Sequence, residues 1–445
     1  MLASYENKRQ RLVQQLRAQD GDSVRLDKRT SNLFRDRKGL SGRRLDVSGL
    51  NEVLTVNRNE LWAEAEGMTT YEDIVAATLR HGAMPCVVPE LKSITIGGAV
   101  TGVGIESSSF KYGLVHEGIT EMEILLASGE VVACSPTNDY KDLFFAFPNS
   151  YGTLGYALKL RFKLVPIKRY VQLTHTRYTD ADNYFDGVHS ACGQDIDFVD
   201  GTVFGPDELY VSTGKFVDDA PYTSDYTYEN IYYQSIRQRE LDYLTTVDYI
   251  WRWDTDWFWC SKHFFVQNPF VRALVGKSRL NSVTYTKIMR FNSKWNLTHR
   301  IDRLLGKRRE SVIQDVDIPI ERAPAFLEFF QREIGITPIW ICPIRAPEAS
   351  RRFDLYPIDP GTIYINFGFW DVKVGGKNLP EGYYNRQIEQ KVRELGGIKS
   401  LYSDSYFSAE EFWLVYDKPL YDRLKAKYDP HGRFKNLYEK CVLRQ

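Results

Sequence analysis

The chain of 445 residues carries 58 basic residues (Lys and Arg) and 58 acidic residues (Asp and Glu), so its formal net charge at pH 7 is zero. This balance argues against a general nucleic-acid-binding protein, which needs a basic surplus to displace phosphate counterions. The length suggests two or three domains of about 150 residues each. The six Cys lie far apart without a CxxC pair, so we expect reduced, mostly buried thiols rather than a zinc ribbon or a disulfide framework.

The N-terminal segment is polar and lacks the apolar region of a secretory signal, and no run of about 18 apolar residues predicts a membrane span. Leu12, Val13 and Leu16 share one side of a predicted surface helix. Its basic run at residues 8–11 could touch anionic lipid, although a plain surface helix is the simpler interpretation. We therefore expect a cytoplasmic protein with at most peripheral contact with the inner face of the cell membrane.

Three stretches with different predicted secondary structure follow along the chain. Residues 44–166 predict two short strands around residues 57–59, a helix ending at Gly82, a hairpin that turns at residues 128–129 and a half-buried strand in LGYALKLRFKLVPI. The middle predicts long amphipathic helices and aromatic-rich strands. The end predicts a strand and a helix that opens with a Ser408–Glu411 capping box and a later helix stop at Pro430. The predicted fold is α+β, with residues 1–168 and 401–445 forming one domain and residues 169–400 a second domain.

The most informative stretch is the glycine-rich segment at residues 89–114, PELKSITIGGAVTGVGIESSSFKYGL. Glycines allow a backbone to approach a ligand closely, which favours a cofactor cradle, but a bulged strand with tight turns explains them as well. The segment has neither the GxGxxG spacing of a dinucleotide fold nor the spacing of a P-loop. A second glycine patch, NSYGTLG at residues 149–155, precedes a predicted strand.

These motifs carry a family resemblance. ITIGGAVTGVG, ILLASGEVV, DLFFAF and YGTLG resemble the FAD-binding domain of the vanillyl-alcohol-oxidase and p-cresol-methylhydroxylase (PCMH) superfamily. The glycine-rich segment, WICP at residues 340–343 and LYSDSYFSAEEFW at residues 401–413 are similar to the delta-24 sterol reductase family. KRTSNLFRDR at residues 28–37 and YIWRWDTDWFWCS at residues 249–261 resemble bacterial flavoproteins that act with a fatty-acid methyltransferase to make 10-methyl branched acids of the tuberculostearic type.

The resemblance implies a two-subdomain PCMH-type FAD-binding domain covered by a mixed α/β substrate cap domain. Many relatives tether FAD through a His in the first loop, whereas the first His here is His81, so we expect non-covalent FAD. The positions that the resemblance assigns to FAD are Arg29, Thr30, Ser31, Asn32, Leu33, Thr95, Ile96, Gly97, Gly98, Thr101, Gly102, Gly104, Ile105, Ser107, Gly152, Thr153 and Gly155.

Reduction of an isolated C=C bond requires a protonated acid near the flavin, a dry pocket and electron-rich walls, because no carbonyl stabilises charge when hydride arrives. The candidate acids are Glu106 and Asp404, with Tyr112 and Tyr406 as hydrogen-bonding neighbours. A structural hydrogen bond remains an alternative for Glu106 and a turn cap for Asp404. We expect His116 to lie on the surface.

Trp253, Trp257 and Trp340 are the predicted substrate-binding residues. The alternative for the first two is core packing on a buried helix face, with Arg252, Asp254 and Asp256 on its other side. No metal site is predicted.

The resemblance implies an FAD-dependent reductase of an unactivated C=C bond in a lipid. The first choice of reaction is conversion of a 10-methylene to a 10-methyl fatty acyl chain with NADPH as electron donor and a fatty-acid methyltransferase as partner. A delta-24 sterol-type side-chain reductase, an FAD-linked oxidase of an alcohol or sugar lipid, and a catalytically silent lipid-binding partner of the methyltransferase stay open as alternatives.

Overall fold

The computed structural model describes residues 2–18, 23–28, 30, 32–35, 42–295, 308–375 and 379–445. Two antiparallel sheets dominate this part of the chain, one of six and one of eight strands. In sequence, the last strand of the six-stranded sheet ends at Pro166, and the first strand of the eight-stranded sheet begins at Tyr170. The domain boundaries at residues 168 and 400 stay a prediction.

The six-stranded sheet has the order β3-β4-β8-β6-β7, and β5 pairs with β8 outside this path. Its strands are β3 (Val53–Asn57), β4 (Trp62–Glu66), β5 (Ala83–Pro85), β6 (Ile119–Leu125), β7 (Val131–Cys134) and β8 (Tyr156–Pro166). The predicted β6–β7 hairpin is confirmed, with Gly129 at φ +84° in its turn. The predicted helix is α2 (Tyr71–Leu79), capped by the Thr70 side chain.

The eight-stranded sheet has the order β12-β9-β11-β10-β14-β15-β13-β16. Its strands are β9 (Tyr170–Tyr178), β10 (Phe198–Gly205), β11 (Glu208–Val217), β12 (Leu241–Thr245), β13 (Arg308–Pro319), β14 (Ile339–Ile344), β15 (Tyr364–Gly375) and β16 (Ile398–Lys399). On one face, Val312, Val316 and Ile318 of β13 share a buried core with three helices. Those helices are α6 (Ala181–Cys192), α11 (Ala323–Phe329) and α12 (Tyr383–Glu394).

Shorter helices and a parallel strand pair complete the fold. The pair is β1 (Val24–Asp27) with β2 (Arg43–Asp46). The remaining helices are α1 (Leu2–Arg17), α3 (Ile96–Thr101), α4 (Ser109–Tyr112), α5 (Lys141–Ala146), α7 (Tyr232–Ser235), α8 (Thr246–Ile250), α9 (Pro269–Val275), α10 (Ser282–Trp295), α13 (Ala409–Val415), α14 (Lys418–Tyr428) and α15 (Leu437–Cys441). Leu12 and Leu16 of α1 are buried, as the helix prediction requires.

The C-terminal part confirms two predictions and corrects one. The capping box at Ser408 is present, and α14 ends at Tyr428, before Pro430. The strand predicted in LYSDSY at residues 401–406 is wrong, because this segment is irregular. Its backbone is satisfied elsewhere: the N–H of Tyr406 donates to the Glu389 carboxylate, and the carbonyl of Tyr402 accepts from the N–H of Phe34.

The helix predicted through residues 251–259 is also wrong. These residues form successive turns, and Trp257 and Phe258 have left-handed backbones at φ +46° and +60°. That interpretation placed Arg252, Asp254 and Asp256 on the side opposite the buried Trp residues, but all three are buried as well. Each has a buried polar partner, so its charge does not direct it to water.

All six Cys are free, and five of them are buried, as expected. No helix within the described ranges is both long enough and apolar enough to cross a bilayer.

Candidate active site

A cavity of about 300 Å³ lies between the two sheets. Four parts of the chain line it: the described residues of the first loop (23–28, 30 and 32–35), the glycine-rich segment, the start of β8 with the loop before it, and the aromatic side of the eight-stranded sheet. Residues of the C-terminal segment from Phe434 onward close it. The volume is at the lower end of the range typical of small-molecule sites.

The glycine-rich wall is a short helix, α3, rather than the bulged strand considered above. The Thr95 hydroxyl caps it by accepting from the N–H of Gly98 at 3.2 Å. A Cβ on Gly97 would lie 2.7 Å from the Gly67 carbonyl oxygen, and one on Gly104 would lie 2.8 Å from a methyl group of Val115. Close packing of the protein itself therefore requires these glycines, and the backbone that results forms one side of the cavity.

The first loop and the C-terminal segment make one wall of the cavity basic. Its cations are Arg25, Lys28, Arg35, Lys435, Lys440 and Arg444. Arg35 donates to the carbonyl of Leu401 and lies 4.9 Å from the centre of the Tyr151 ring. A wall of this kind suits the two negative charges of a pyrophosphate.

The opposite wall is aromatic. The Phe258 and Trp370 rings stack at 4.2 Å, the Phe34 and Trp257 rings stack at 5.5 Å, and Trp340 meets Phe258 edge-on at 5.6 Å. Flat apolar walls of this kind suit an aromatic ring system and a hydrocarbon substrate.

Asp315 is a half-buried residue of the aromatic wall, and its carboxyl atom Oδ1 is shielded from solvent. It lies on β13 opposite Gly368 of β15, where a Cβ would be 2.7 Å from its Oδ1. Burial, and secondarily the neighbouring Asp317, raises the pKa of Asp315 to about 8. Its carboxyl hydrogen-bonds the Tyr402 hydroxyl, which accepts from Nε1 of Trp370 at 3.1 Å. Asp315 Oδ1 has no hydrogen-bond partner among the described residues, so at pH 7 the cavity contains a largely protonated acid.

Glu90 is the other carboxyl that lines the described part of the cavity. Behind it, Arg252 donates to Glu106 Oε1 and to Asp200 Oδ2, both at 2.8 Å. Although burial opposes ionisation of Glu106, Arg252 and the hydrogen bonds from Glu90 and Ser107 hold its pKa below the ordinary value. Burial and the charge of Glu106 raise the pKa of Glu90 well above the ordinary value. Glu90 is therefore the protonated member of this pair.

The predicted FAD residues divide into three groups. Those that line the cavity are Thr30, Asn32, Leu33, Thr95, Gly97, Gly98, Thr101, Gly102, Gly104, Ile105, Gly152 and Gly155. Ile96, Ser107 and Thr153 are buried behind its wall. Arg29 and Ser31 lie outside the described residues.

The predicted catalytic residues lie away from the cavity. Glu106 is paired with Arg252, and the Asp404 carboxylate lies 3.3 Å from Arg444, whose guanidinium is over the Tyr406 ring. Tyr112 lies beside Lys111, which pairs with Asp197 on the surface. Their catalytic roles stay predictions, and the ionised state of Glu106 does not favour it as proton donor.

Of the predicted substrate residues, Trp257 and Trp340 line the cavity, whereas Trp253 lies behind Phe258 at 4.9 Å. The surface position expected for His116 is wrong. This side chain is buried against Phe353 at 4.3 Å, and burial lowers its pKa to about 3 because the charged form loses its hydration.

Sequence reasoning missed Asp315, Glu90 and Trp370. One signal could have found the first: in QDVDIP, Asp315 and Asp317 alternate with apolar residues, so both carboxyls share one face of a strand. Strands of a large second domain are buried on both faces, and a carboxyl there needs a function or a partner.

The residues present fit FAD. The basic wall matches its pyrophosphate, the aromatic wall matches its ring, and no His or Cys of the described ranges lines the cavity to tether it. The orphaned Oδ1 of Asp315 and Oε1 of Glu90 offer polar atoms to the ring or to a substrate.

Comparison with known proteins supports the same cofactor. A family model described as FAD binding domain matches residues 10–135. Delta(24)-sterol reductase of Homo sapiens is 29% identical over 406 residues, covering 88% of this chain and 76% of the relative. The Pisum sativum protein of the same name is 27% identical over 438 residues, covering 89% and 76%. Cytokinin dehydrogenase 10 of Oryza sativa subsp. japonica is 26% identical over 155 residues, covering 34% and 28%.

The match and the mixed helices and antiparallel sheets confirm the predicted PCMH-type α+β fold. The chain thus contains an FAD-binding domain, is similar along most of its length to delta-24 sterol reductases, and is an FAD-dependent oxidoreductase.

Proposed function

We propose that the protein reduces an unactivated C=C bond in a lipid, with NADPH as electron donor. The observation that carries the proposal is Asp315, a carboxyl with a pKa of about 8 among the aromatic rings of the cavity. An isolated alkene has no carbonyl to activate it, so its reduction requires a strong proton source in a dry site. An oxidase, which removes a proton from its substrate, would need a base at this position instead.

Asp315 would donate its proton to one carbon of the alkene and leave positive charge on the more substituted carbon. Bound reduced flavin supplies the hydride that the second carbon accepts. The Tyr402 hydroxyl, which already hydrogen-bonds the Asp315 carboxyl, stabilises the carboxylate that the donation leaves. Proton and hydride together complete the C–H bonds of the saturated product.

The rings around Asp315 have two tasks in this reaction. Trp340 and Trp370 present aromatic faces, each worth up to about 2 kcal/mol to a cation from which water is excluded. They also keep water from the carbon that bears the charge, so that hydride rather than hydroxyl adds to it.

A 10-methylene fatty acyl chain, carried in a phospholipid, is the first choice of substrate. It rests on the resemblance of residues 28–37 and 249–261 to the bacterial flavoproteins. A methyltransferase would supply the methylene group and act as partner. The sterol side chain is the rival, since the relatives that cover most of this chain are named delta(24)-sterol reductases.

Purified FAD-loaded protein with NADPH should saturate a phospholipid bearing a 10-methylene acyl chain. Mass spectrometry of the product should show one deuterium from D₂O on the carbon that accepts the proton. It should show one deuterium from labelled NADPH on the carbon that accepts the hydride. Saturation of a delta-24 sterol but not of the methylene lipid would move the substrate to the sterol. If anaerobic NADPH fails to bleach the flavin while an alcohol bleaches it, the protein is an oxidase.

A further inference from the structure

Acidic side chains are absent from a long basic stretch of the sequence. Residues 257–301 contain neither Asp nor Glu. The stretch contains Lys262, Arg272, Lys277, Arg279, Lys287, Arg290, Lys294 and Arg300. Three of these cations pair with acidic residues outside the stretch: Lys262 with Asp371, Arg272 with Asp256 and Lys277 with Asp225. In a chain with a net charge of zero, the remaining basic residues still make this region more basic than the rest of the sequence.

Helix α9, within this stretch, buries a charged side chain and exposes apolar ones. Its Arg272 points inward and is buried, with Nη1 2.8 Å from Oδ1 of Asp256 and Nη2 3.1 Å from Oδ2. Phe270 and Leu274, four residues apart on the same face, are 73% and 70% exposed. Phe265, in the turn that leads into the helix, is 76% exposed. Three large apolar side chains thus face outward where a soluble helix would carry polar ones.

The inner side of the same region reaches the cavity wall through aromatic contacts. The ring of Phe264 stacks on Tyr285 at 5.4 Å, and Tyr285 stacks on Trp257 at 6.2 Å. Trp257 and its stacking partner Phe34 line the cavity. Phe264, Tyr285 and Trp257 thus form a series of ring contacts that connects this region to the aromatic wall.

Exposed cations follow the exposed apolar side chains closely in sequence. Arg279 and Lys287 are exposed, and Lys277 is 63% exposed although its Nζ lies 3.7 Å from Asp225. Exposed apolar side chains accompanied by exposed cations match the acyl boundary and the headgroup layer of an anionic bilayer.

We propose that this docking face, formed by Phe265, Phe270, Leu274, Lys277, Arg279 and Lys287, binds the surface of an anionic membrane. The apolar side chains enter the acyl boundary, and the cations contact lipid phosphates. The inference goes beyond the proposed reaction, because it holds whichever lipid the protein reduces.

The test is co-sedimentation of FAD-loaded protein with vesicles. Binding to mixed phosphatidylcholine and phosphatidylglycerol vesicles should exceed binding to phosphatidylcholine alone and should fall as salt is raised. A Phe265→Ser, Phe270→Ser, Leu274→Ser variant should lose at least about tenfold in affinity, because it removes the apolar surface that enters the acyl boundary. A Lys277→Glu, Arg279→Glu, Lys287→Glu variant should lose the preference for the anionic lipid.

Leu414→Ser is the matched control, since Leu414 is 74% exposed on α13, outside the docking face. It should bind vesicles like the unchanged protein, and flavin absorbance and melting temperature should show that every variant is folded. Absence of vesicle binding, or equal binding by all variants, would overturn the proposal. So would a dimer without lipid that only the triple Ser variant abolishes, since that result assigns the face to a second copy of the chain.

Discussion

Asp315 is half-buried and Glu106 is buried, and their pKa values are shifted in opposite directions. Arg252 donates to Glu106 directly and so favours its charged form. Asp315 has only the Tyr402 hydroxyl as a favourable partner, and Asp317 on the same strand disfavours its charge. The proposed proton donor is therefore the carboxyl without a neighbouring cation to favour its charged form, rather than the carboxyl that belongs to the glycine-rich segment.

Replacement of Asp315 by Asn should lower turnover about 10²- to 10⁴-fold while FAD remains bound, because the amide cannot donate a proton of similar acidity. The protonated form is the active one, so turnover of the unchanged protein should fall as pH rises through about 8. Single-turnover flavin reoxidation by substrate across this pH range measures both effects.

Glu106→Gln is the comparison variant for that experiment. It should keep the pH profile near 8, because Glu106 is already ionised and lies behind the wall. If Glu106→Gln loses the pH dependence of turnover while Asp315→Asn keeps it, Glu106 and not Asp315 is the proton donor.

Arg252 is a second residue whose contribution can be measured. Arg252→Met would leave Glu106 and Asp200 buried without their cation, which should cost about 3–5 kcal/mol in the free energy of unfolding. Lys215→Met removes a largely exposed ion pair with Asp195 and should cost less than about 1 kcal/mol. Urea unfolding followed by fluorescence gives both values, and equal losses would contradict a structural role for the Arg252 cluster.

At the level of elements, local patterns were sufficient for α2, the β6–β7 hairpin and the α13 capping box, since each depends on residues close in sequence. Residues 251–259 could not be predicted in this way. Their charged side chains bind Glu106, Ser282 and Arg272, which lie outside this segment, so periodicity alone separated them from the buried Trp residues.

Helix α3, at the cavity, is a second case in which the local sequence pattern did not predict the tertiary contacts. The sequence identified most of the lining glycines, but it did not reveal that Gly67 and Val115 pack against them. The sequence predicted only part of the aromatic wall for a related reason. Asp315, Trp340 and Trp370 lie on three different strands, and only the pairing of these strands brings them together.

A substitution in α3 tests this packing. Gly97→Ala should lower stability by about 1–3 kcal/mol and reduce the bound flavin, because its Cβ would lie 2.7 Å from a backbone oxygen that cannot move away alone. Gly193→Ala, where the nearest atom is at 3.5 Å, is the control and should leave both quantities nearly unchanged. Thermal unfolding and the ratio of flavin to protein absorbance provide the measurements, and normal flavin content in Gly97→Ala would contradict the role of this wall.

At the scale of the whole molecule, the cavity joins parts that are far apart in sequence. The first loop, α3, β8, the eight-stranded sheet and the C-terminal segment all contribute lining residues. A ligand that touches all of them stabilises the assembled arrangement over the unfolded chain, so the cofactor should act as a structural link between the two sheets.

Removal and return of FAD test that link. Acid precipitation should leave a colourless pellet, since no His or Cys in the described ranges lines the cavity. The flavin-free protein should melt at a lower temperature, and FAD at 100 times its Kd should restore about 2.7 kcal/mol of stability. FMN lacks the second phosphate that the basic wall accommodates, so it should restore less at equal concentration. A yellow pellet would contradict non-covalent binding, and equal stabilisation by FMN would show that Lys435, Lys440 and Arg444 do not hold the pyrophosphate.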